Sequence, residues 1–493
     1  METQVIVVGA GPAGLMLAYE LTLAGVSAVV VEKRAEPSIQ SRAGGLQPRT
    51  AEVLDLRGLL APLLDGADVA EGHGGHFAGL PVPLDCSPWQ TRYRGPVAVP
   101  QGRLERFLEQ RLAERGGTVL RGHEVVSVSQ NDSGTEIITG TGRTLRADFL
   151  VACDGAHSTV RKALGVPFPG RAGTARAVVA DLVLATRSPE VLAFKSHFSQ
   201  HIRTGGGYWT ALSPLDGGGH RFMFSSVAGQ APPRDAPIAD EEIRAALQAV
   251  YGPETELAEV RAASRFSNAS RQVENYRAGR VFFAGDAAHI HLPVGGQGVN
   301  LGVQDAVNLG WKLAARLNGW APPGLLGTYH AERHPVAARV LANTRAQGIL
   351  LNPAADEDMA ALRALVTELM RLPQANRHLS GMMAGLDIRY EHDADDHPLT
   401  GYRMPDLDLV TEEGVSRVSA LTHDGRGLLL RFDHGIAVSA AGWEDRVREV
   451  PVKAADEVPA GAVLVRPDGQ VCWAGSDPGG YAAALTRWFG SAG

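Results

Sequence analysis

Residues 4–32 contain the pattern that most restricts the fold of this chain. The run QVIVV has the composition of a strand buried on both faces, and GAGPAG follows it with Gly9, Gly11 and Gly14 in GxGxxG spacing. A helical stretch and a second apolar run lead to Glu32. This order predicts a βαβ unit that binds a dinucleotide, with Gly9 in the tight turn, Gly11 beneath the pyrophosphate and Gly14 between helix and strand.

The acidic residue narrows the choice of dinucleotide. Glu32 can accept hydrogen bonds from a ribose hydroxyl, which favours a free 2′-OH and predicts FAD or NAD, not NADP. Two later segments bear on that choice, but each also has an ordinary structural reading. Arg42 in SIQSRAGGLQPRT could be a surface residue, and the strand that ends at Asp154 in DFLVACDGAHSTVR could simply turn there before the helix with Arg161.

A third segment, GDAAHIHLPVGGQGVN, separates FAD from NAD. The run GRVFFAGD reads as a strand that ends at Asp286, and VNLGVQDAVNLGWKLAARL has helical apolar spacing. Asp286 suits a polyol hydroxyl such as that of a ribityl chain. The helix start at residues 298–300 suits a delocalised anion such as the edge of a reduced flavin. NAD has no group that requires this second site, so the segment favours FAD.

Together these three segments resemble the class A flavoprotein monooxygenases, the FAD-dependent aromatic hydroxylases, and most of all their aromatic-polyketide and angucycline hydroxylases. The likeness is strong over residues 4–345 and weaker beyond, where that subgroup carries a thioredoxin-like domain. The resemblance implies that Arg333 packs on the flavin domain and is not catalytic. It also implies contacts of Gly11, Ala13 and Arg42 with the FAD pyrophosphate, Glu32 with the adenosine ribose, Val125 with adenine, Gln101 with the flavin side, Asp154 with FAD and NAD(P)H, Asp286 with the ribityl chain, Pro293 with the oxygen-reactive side, and Gly296, Gly298, Val299 and Asn300 with the pyrimidine edge.

Two histidines in the third segment raise the question of a metal. His289 and His291 would share one face of an extended segment, but only Asp286 lies at a suitable spacing to complete a site. Because that aspartate is assigned to FAD, we expect no metal. We expect His289 to be a packing and hydrogen-bonding residue beneath the flavin.

The rest of the chain predicts an α/β protein of three parts. A Rossmann-like FAD-binding domain (1–172 and 271–390, with a helical extension) is interrupted by an antiparallel-sheet substrate domain at 173–270. A thioredoxin-like domain spans 400–493, with the turn RPDGQ at 466–470 between two strands and a structural or dimerisation role. The candidate substrate-lining residues are His201, Arg203, Tyr208, Trp209, Phe222 and Phe224. The sequence alone does not show on which face of the sheet each of these side chains lies.

Composition excludes several classes of protein. The net charge is −7, with 47 basic and 54 acidic residues well mixed, which does not favour a nucleic-acid surface. Cys86, Cys153 and Cys472 form no CxxC pair, so neither a disulfide scaffold nor thiol chemistry is expected. Without a basic leader or a run of about 20 apolar residues, we expect a cytoplasmic monomer or homodimer with no membrane partner.

The resemblance implies a monooxygenase that uses FAD, NADPH or NADH, and O₂, and that acts through a flavin C4a-hydroperoxide. The expected substrate is a polycyclic aromatic of polyketide type, and the expected reaction is ring hydroxylation. No residue stands out as a base for the substrate, so the catalytic residues are left unassigned. Baeyer–Villiger insertion by the same peroxide remains an alternative. A non-catalytic binding or escort protein would predict a degraded second flavin motif, whereas this one is intact.

Overall fold

The computed structural model describes residues 2–37, 44–65, 74–215, 218–227, 236–352, 356–390, 392–393, 396–432, 436–455 and 460–493. The strands, numbered along the chain, are β1 (Glu2–Val8), β2 (Ala28–Glu32), β3 (Gly45–Leu46), β4 (Val97–Ala98), β5 (Thr118–Arg121), β6 (Val125–Asn131), β7 (Gly134–Thr139), β8 (Thr144–Ala152), β9 (Gly170–Arg171), β10 (Arg176–Thr186), β11 (Ile202–Gly205), β12 (Tyr208–Leu215), β13 (Gly219–Ser226), β14 (Glu256–Ser267), β15 (Ser270–Gln272), β16 (Arg277–Ala278), β17 (Val281–Phe283), β18 (His289–Ile290), β19 (Asp408–Thr411), β20 (Gly414–Arg417), β21 (Gly427–Arg431), β22 (Val447–Ala455), β23 (Ala462–Val465) and β24 (Val471–Gly475). The α-helices are α1 (Pro12–Leu23), α2 (Pro48–Asp55), α3 (Leu60–Leu64), α4 (Gln101–Glu114), α5 (Thr159–Ala163), α6 (Asp240–Tyr251), α7 (Gln297–Leu317), α8 (Gly327–Leu350), α9 (Glu357–Met370), α10 (Pro373–Ala384) and α11 (Pro478–Phe489).

A parallel sheet in the order β17–β8–β1–β2–β5 carries the predicted dinucleotide motifs. Its central strands are valine- and isoleucine-rich and buried on both faces, as expected when helices cover a parallel sheet. The strands point the same way, so their carboxyl ends meet at one edge. Gly9, Glu32, Asp154 and Asp286 all lie at or just after these ends, the position where open α/β sheets bind ligands.

An antiparallel sheet, β11–β12–β13–β10–β14, interrupts the chain between β8 and β17. Helix α6 packs on one of its faces, and the apolar side chains of that face form a separate core. The short sheet β18–β15–β9 lies where the chain returns to the parallel sheet.

The C-terminal sheet has the order β20–β19–β22–β21–β23–β24. Its parallel pair β21–β22, the antiparallel β23–β24 and the following α11 form the arrangement expected of a thioredoxin-like domain. The predicted fold class is therefore confirmed, whereas the residue boundaries of the three domains stay a prediction. Burial raises the pKa of the Cys472 thiol to about 12, which keeps it protonated at neutral pH.

Two further features of the described residues concern membranes and metals. None of the helices there combines the length and apolar character needed to cross a membrane. Within the same ranges, no group of three His, Cys, Asp or Glu side chains is placed to hold a metal ion.

Candidate active site

The turn after β1 has the geometry that its three glycines predict. Gly9 has φ +107°, and a Cβ there would lie 2.4 Å from the Cys153 carbonyl oxygen. A Cβ on Gly14 would lie 2.0 Å from the Gly9 carbonyl oxygen, so helix and strand approach too closely for a side chain. At Gly11 no described atom lies within 4 Å of that position. Two glycines are therefore required by packing, and Gly11 leaves open space at the start of α1.

Glu32 holds this turn in place. Its carboxylate accepts hydrogen bonds from the backbone N–H of Ala10, at 2.8 Å, and of Arg34, at 2.9 Å. Each carboxylate oxygen has a further lone pair, so the side chain can still accept from a sugar hydroxyl.

The segment after β8 contributes a buried carboxylate. Asp154 accepts from the N–H groups of Thr159 and Val160 through Oδ2, while its buried Oδ1 has no hydrogen-bond partner among the described residues. Burial raises the pKa of this carboxyl. Arg161 donates to the Ala287 carbonyl oxygen at 2.9 Å and so joins this segment to the one after β17.

The two glycine-rich segments are in direct contact. A Cβ on Gly285 would lie 3.3 Å from the Cβ of Ala13, and one on Gly302 would lie 3.2 Å from the Gly285 Cα. Asp286 is exposed although both of its neighbours are buried. Its side chain is therefore open to solvent, one residue after the glycine that contacts the first turn of α1.

The turn before α7 is built around Asn300. Gly295 and Gly296 have φ of +70° and +63°, in the left-handed region that glycine tolerates. The Asn300 side chain accepts from the Gln47 N–H at 2.7 Å and donates to the Gly296 carbonyl oxygen at 2.7 Å. This side chain braces the turn, so the predicted cofactor contact of Gly296, Gly298, Val299 and Asn300 would be left to their backbone groups.

The other residues predicted in this turn border the same space. Pro293 is exposed and Val299 is half-buried. A Cβ on Gly298 would lie 3.6 Å from the Nε2 atom of His291, an ordinary contact distance, whereas no described atom lies within 4 Å of a Cβ on Gly296.

His289 is held by two residues that the motif analysis did not assign to the site. Its Nε2 lies 2.7 Å from Asp305 Oδ2, and Arg333 donates through Nε to Asp305 Oδ1 at 2.8 Å. All three side chains are buried. Burial alone would raise the pKa of Asp305, but Arg333 and His289 hold it below its ordinary value. Asp305 also accepts from the Gly285 N–H at 3.2 Å, which ties this ion pair to the start of the second motif.

A second buried ion network adjoins the first on α8. Glu332 is bound by Arg466, at 2.5 and 2.9 Å, and by Lys312, at 2.7 Å. Arg466 also binds Asp468 within the turn between β23 and β24. The turn predicted as a hairpin is therefore anchored against the flavin-site helices.

Two further predicted contact residues lie on other elements, and a third is not described. Gln101 begins α4 and donates to Glu105 Oε1 at 2.8 Å. Val125 begins β6 and is buried. Arg42 lies outside the described residues.

Side-chain positions in the antiparallel sheet differ from part of the predicted substrate lining. Phe222 and Phe224 are buried and belong to the apolar core that includes residues of α6. Tyr208 packs edge-on against Phe224, with ring centroids 6.3 Å apart. The prediction that Phe222 and Phe224 line a cavity was wrong, because the strand phase directs both toward α6.

Two more candidates are engaged in local structure. His201 is buried, and its ring nitrogens lie 3.1 Å from the Leu212 carbonyl oxygen and 3.0 Å from the Ser196 hydroxyl. Arg203 donates to the carbonyl oxygens of Gln200 and Ile202. His201 is thereby joined to β12, and Arg203 also lies 3.9 Å from the Glu190 carboxylate.

The opposite face of this sheet approaches the flavin domain. Arg221 forms a two-bond ion pair with Asp181, at 2.8 and 2.9 Å, and its Nη1 would lie 3.3 Å from a Cβ on Gly44. Trp209 pairs with Ser225 on this same face, one residue out of phase with the phenylalanines. Trp209 therefore stays a candidate lining residue, and the Arg221 pair was missed because pairing across strands is not visible in the sequence.

The residues present fit FAD. Open space at Gly11 and Gly296, the exposed Asp286, and an Asp154 oxygen without a hydrogen-bond partner among the described residues lie along one edge of the sheet. Residues 2–344 match the family described as FAD binding domain, and residues 397–492 match the family described as aromatic-ring hydroxylase, C-terminal. The chain belongs to the FAD-dependent aromatic hydroxylases and is a flavin-dependent monooxygenase, which confirms the resemblance drawn from the motifs.

Named relatives cover the chain from end to end. The chain is 44% identical to a 12-dehydrotetracycline 5-monooxygenase/anhydrotetracycline 6-monooxygenase of Streptomyces rimosus subsp. rimosus, over 99% of both chains. The solved structure of an anhydrotetracycline hydroxylase from Streptomyces rimosus superposes with a TM-score of 0.91, at 42% identity and full coverage of both chains. The structure of a Diels-Alderase of pyrroindomycin biosynthesis superposes with a TM-score of 0.84, at 37% identity, over 99% of this chain and 100% of that one.

Proposed function

We propose that this enzyme inserts one atom of O₂ into a polycyclic aromatic substrate of polyketide type, by ring hydroxylation. The observation that carries the proposal is the meeting of two glycine-rich segments at one sheet edge, through Ala13, Gly285 and Gly302. The relatives that act on anhydrotetracyclines support the substrate class. NADPH or NADH would serve as a transient reductant.

Named residues would hold the cofactor at this edge. Gly11 and the N–H groups at the start of α1 would receive the pyrophosphate, and Asp286 the ribityl chain. The first turn of α7 would receive the pyrimidine edge of the flavin. Bound FAD would supply the activation of O₂, through the C4a-hydroperoxide expected from the sequence.

The substrate would lie between the first turn of α7 and the face of the antiparallel sheet that carries Trp209 and Arg221. A planar aromatic suits the flat face formed by Trp209 and its strand neighbours. The Arg221–Asp181 pair would place a cation near a phenolic oxygen, where it would favour the deprotonated and more nucleophilic form. Asp154, one oxygen of which has no hydrogen-bond partner in the described part of the chain, stays a proposed contact for FAD and the nicotinamide donor.

Reconstitution tests the proposal directly. The purified protein is incubated with FAD, and oxidation of NADPH or NADH is followed with and without polycyclic phenols. We expect bound flavin and substrate-stimulated oxidation that forms a hydroxylated product. A lactone or ring-opened acid would instead establish Baeyer–Villiger insertion.

One comparison favours a second candidate function. The similar Diels-Alderase shows that a closely related fold is found in an enzyme named for cycloaddition. A substrate that cyclises without consuming NAD(P)H or O₂ would support that function here and contradict the proposed one.

A further inference from the structure

His291 occupies an unusual position in the turn between β18 and α7. Its Nδ1 lies 2.8 Å from the Leu292 carbonyl oxygen, and only a protonated Nδ1 can donate to that acceptor. In the neutral imidazole the lone pair must then be at Nε2. That atom is buried and has no hydrogen-bond partner among the described residues.

This nitrogen lies next to the proposed cofactor site. Nε2 lies 3.6 Å from the position that a Cβ on Gly298 would take. Gly298 is in the first turn of α7, whose N–H groups have no acceptor within the helix and favour an anion. A neutral imidazole would present a lone pair toward that anion, whereas a protonated one would present a donor.

We propose that His291 takes up a proton at Nε2 when the flavin bound at the first turn of α7 becomes anionic on reduction. This inference rests on the proposed function. A nicotinamide donor transfers two electrons and one proton to the cofactor, which gains one negative charge. The second proton comes from solvent and forms an N–H bond at Nε2, and no protein bond breaks. His291 thereby becomes the counter-charge to the reduced cofactor.

The charges around His291 are consistent with this switch. Burial lowers the pKa of His291 below its ordinary value of 6.5, and His289 lowers it further, while the Leu292 carbonyl and Asp286 act in the opposite direction. Asp305 from α7 and Arg333 from α8 are already paired with each other. Near neutral pH the side chain is therefore uncharged until an anion arrives. An anion at Gly298 stabilises the protonated form and raises the pKa.

The test counts protons taken up on reduction of the FAD-loaded protein. Midpoint potentials are measured from pH 6.5 to 8.5 in the wild type, in His291→Gln, and in a His220→Gln control. Glutamine keeps a polar end of similar reach but does not titrate. His220 is a buried histidine of the antiparallel sheet whose ring nitrogens have no partner in the described part of the chain.

The expected result is about two protons per electron pair in the wild type and the control, and about one in His291→Gln. The absorbance spectrum should show the anionic reduced flavin in all three proteins. About one proton in the wild type would overturn the inference even if the variant fails to fold. So would two protons in His291→Gln, or a neutral reduced flavin in the wild type. A wild-type protein that binds no FAD would instead contradict the proposed function.

Discussion

At the residue scale, the site depends on charged side chains buried in pairs. Asp305 and Lys312 lie on the buried face of α7, at positions that helical periodicity otherwise reserves for apolar residues. Each is satisfied by a neighbouring residue of α8, Arg333 or Glu332. Burial of an unpaired charge would cost several kcal/mol, so both pairs must form together with the α7–α8 packing. The pair at Asp305 then holds His289 and the Gly285 N–H in register with the cofactor turn.

Asp286→Ala tests the assignment of the exposed carboxylate. The side chain is exposed and has no hydrogen bond or ion pair with the described residues, so we expect an unchanged free energy of unfolding. FAD affinity should fall by about 1–3 kcal/mol, because polar ribityl groups lose their acceptor. Flavin fluorescence titration measures the affinity, and Asp148→Ala, at another exposed aspartate, is the matched control. Equal affinity in both variants would count against the assignment.

At the element scale, the strand–turn–helix unit separates packing from binding. A Cβ at Gly14 collides with the Gly9 carbonyl, whereas a Cβ at Gly11 meets no described atom. Gly11 also has φ −80° and ψ 178°, which any residue can adopt. Residues in one motif therefore serve different physical purposes.

Substitution of these glycines by alanine should give opposite phenotypes. Gly14→Ala should lower the urea midpoint or prevent folding, because helix and strand must separate. Gly11→Ala should keep the wild-type midpoint but lose at least about tenfold in FAD affinity, or 1.4 kcal/mol, because the methyl group occupies the pyrophosphate space. Retained FAD affinity in Gly11→Ala would mean that the cofactor lies elsewhere.

The two faces of the antiparallel sheet should also respond differently. Phe222→Ala should destabilise the protein by about 3–5 kcal/mol, because a buried aromatic ring is removed from the core against α6. Met223→Ala, at the next residue and on the opposite face, should cost less stability and raise the KM for the aromatic substrate. Urea unfolding and steady-state kinetics measure the two effects. The reverse pattern would show that we have assigned the faces wrongly.

Sequence reasoning succeeded where a local pattern carries the information. The motifs at Gly9–Glu32 and Gly285–Asn300 predicted the fold and the family, because turn chemistry and apolar spacing are local properties. It failed at Phe222 and Phe224, since a shift of one residue in strand phase exchanges the two faces. The partners of Asp305 and of Glu332 lie on another helix or in the C-terminal domain. The charged residues Asp305 and Lys312 on the apolar stripe of α7 indicate buried ion pairs, but the sequence does not show which residues are their partners.

At the scale of the whole molecule, the C-terminal domain is joined to the flavin site by buried charge. Arg466, in the β23–β24 turn, forms an ion pair with Glu332 of α8. The residue after Glu332, Arg333, forms an ion pair with Asp305. Tyr390 accepts from Arg333 at 3.1 Å, and the Arg466 guanidinium lies 5.4 Å from the centre of its ring. The domain is therefore part of the structural support of the active site.

Ionised Glu332 should make the free energy of unfolding depend on pH in the acidic range. Burial would raise its pKa, but Arg466 and Lys312 hold it at about 2, below the ordinary 4.5. A carboxylate with a depressed folded-state pKa contributes stability above pH 4.5, which is lost as pH falls toward 2. Glu332→Gln should therefore be less stable at pH 7 and show a shallower acid slope in urea unfolding. Glu413→Gln, at an exposed glutamate, is the control, and an acid slope unchanged from wild type in Glu332→Gln would contradict this role.

We propose that the cofactor edge of the parallel sheet and the face of the antiparallel sheet that carries Trp209 and Arg221 together perform oxygen insertion. The most direct test is turnover under ¹⁸O₂ with FAD, NADPH or NADH, and a polycyclic phenol, followed by mass spectrometry of the product. We predict one ¹⁸O atom in each product molecule, carried as a new ring hydroxyl. Product that forms without ¹⁸O, or that carries oxygen from water, would contradict the account.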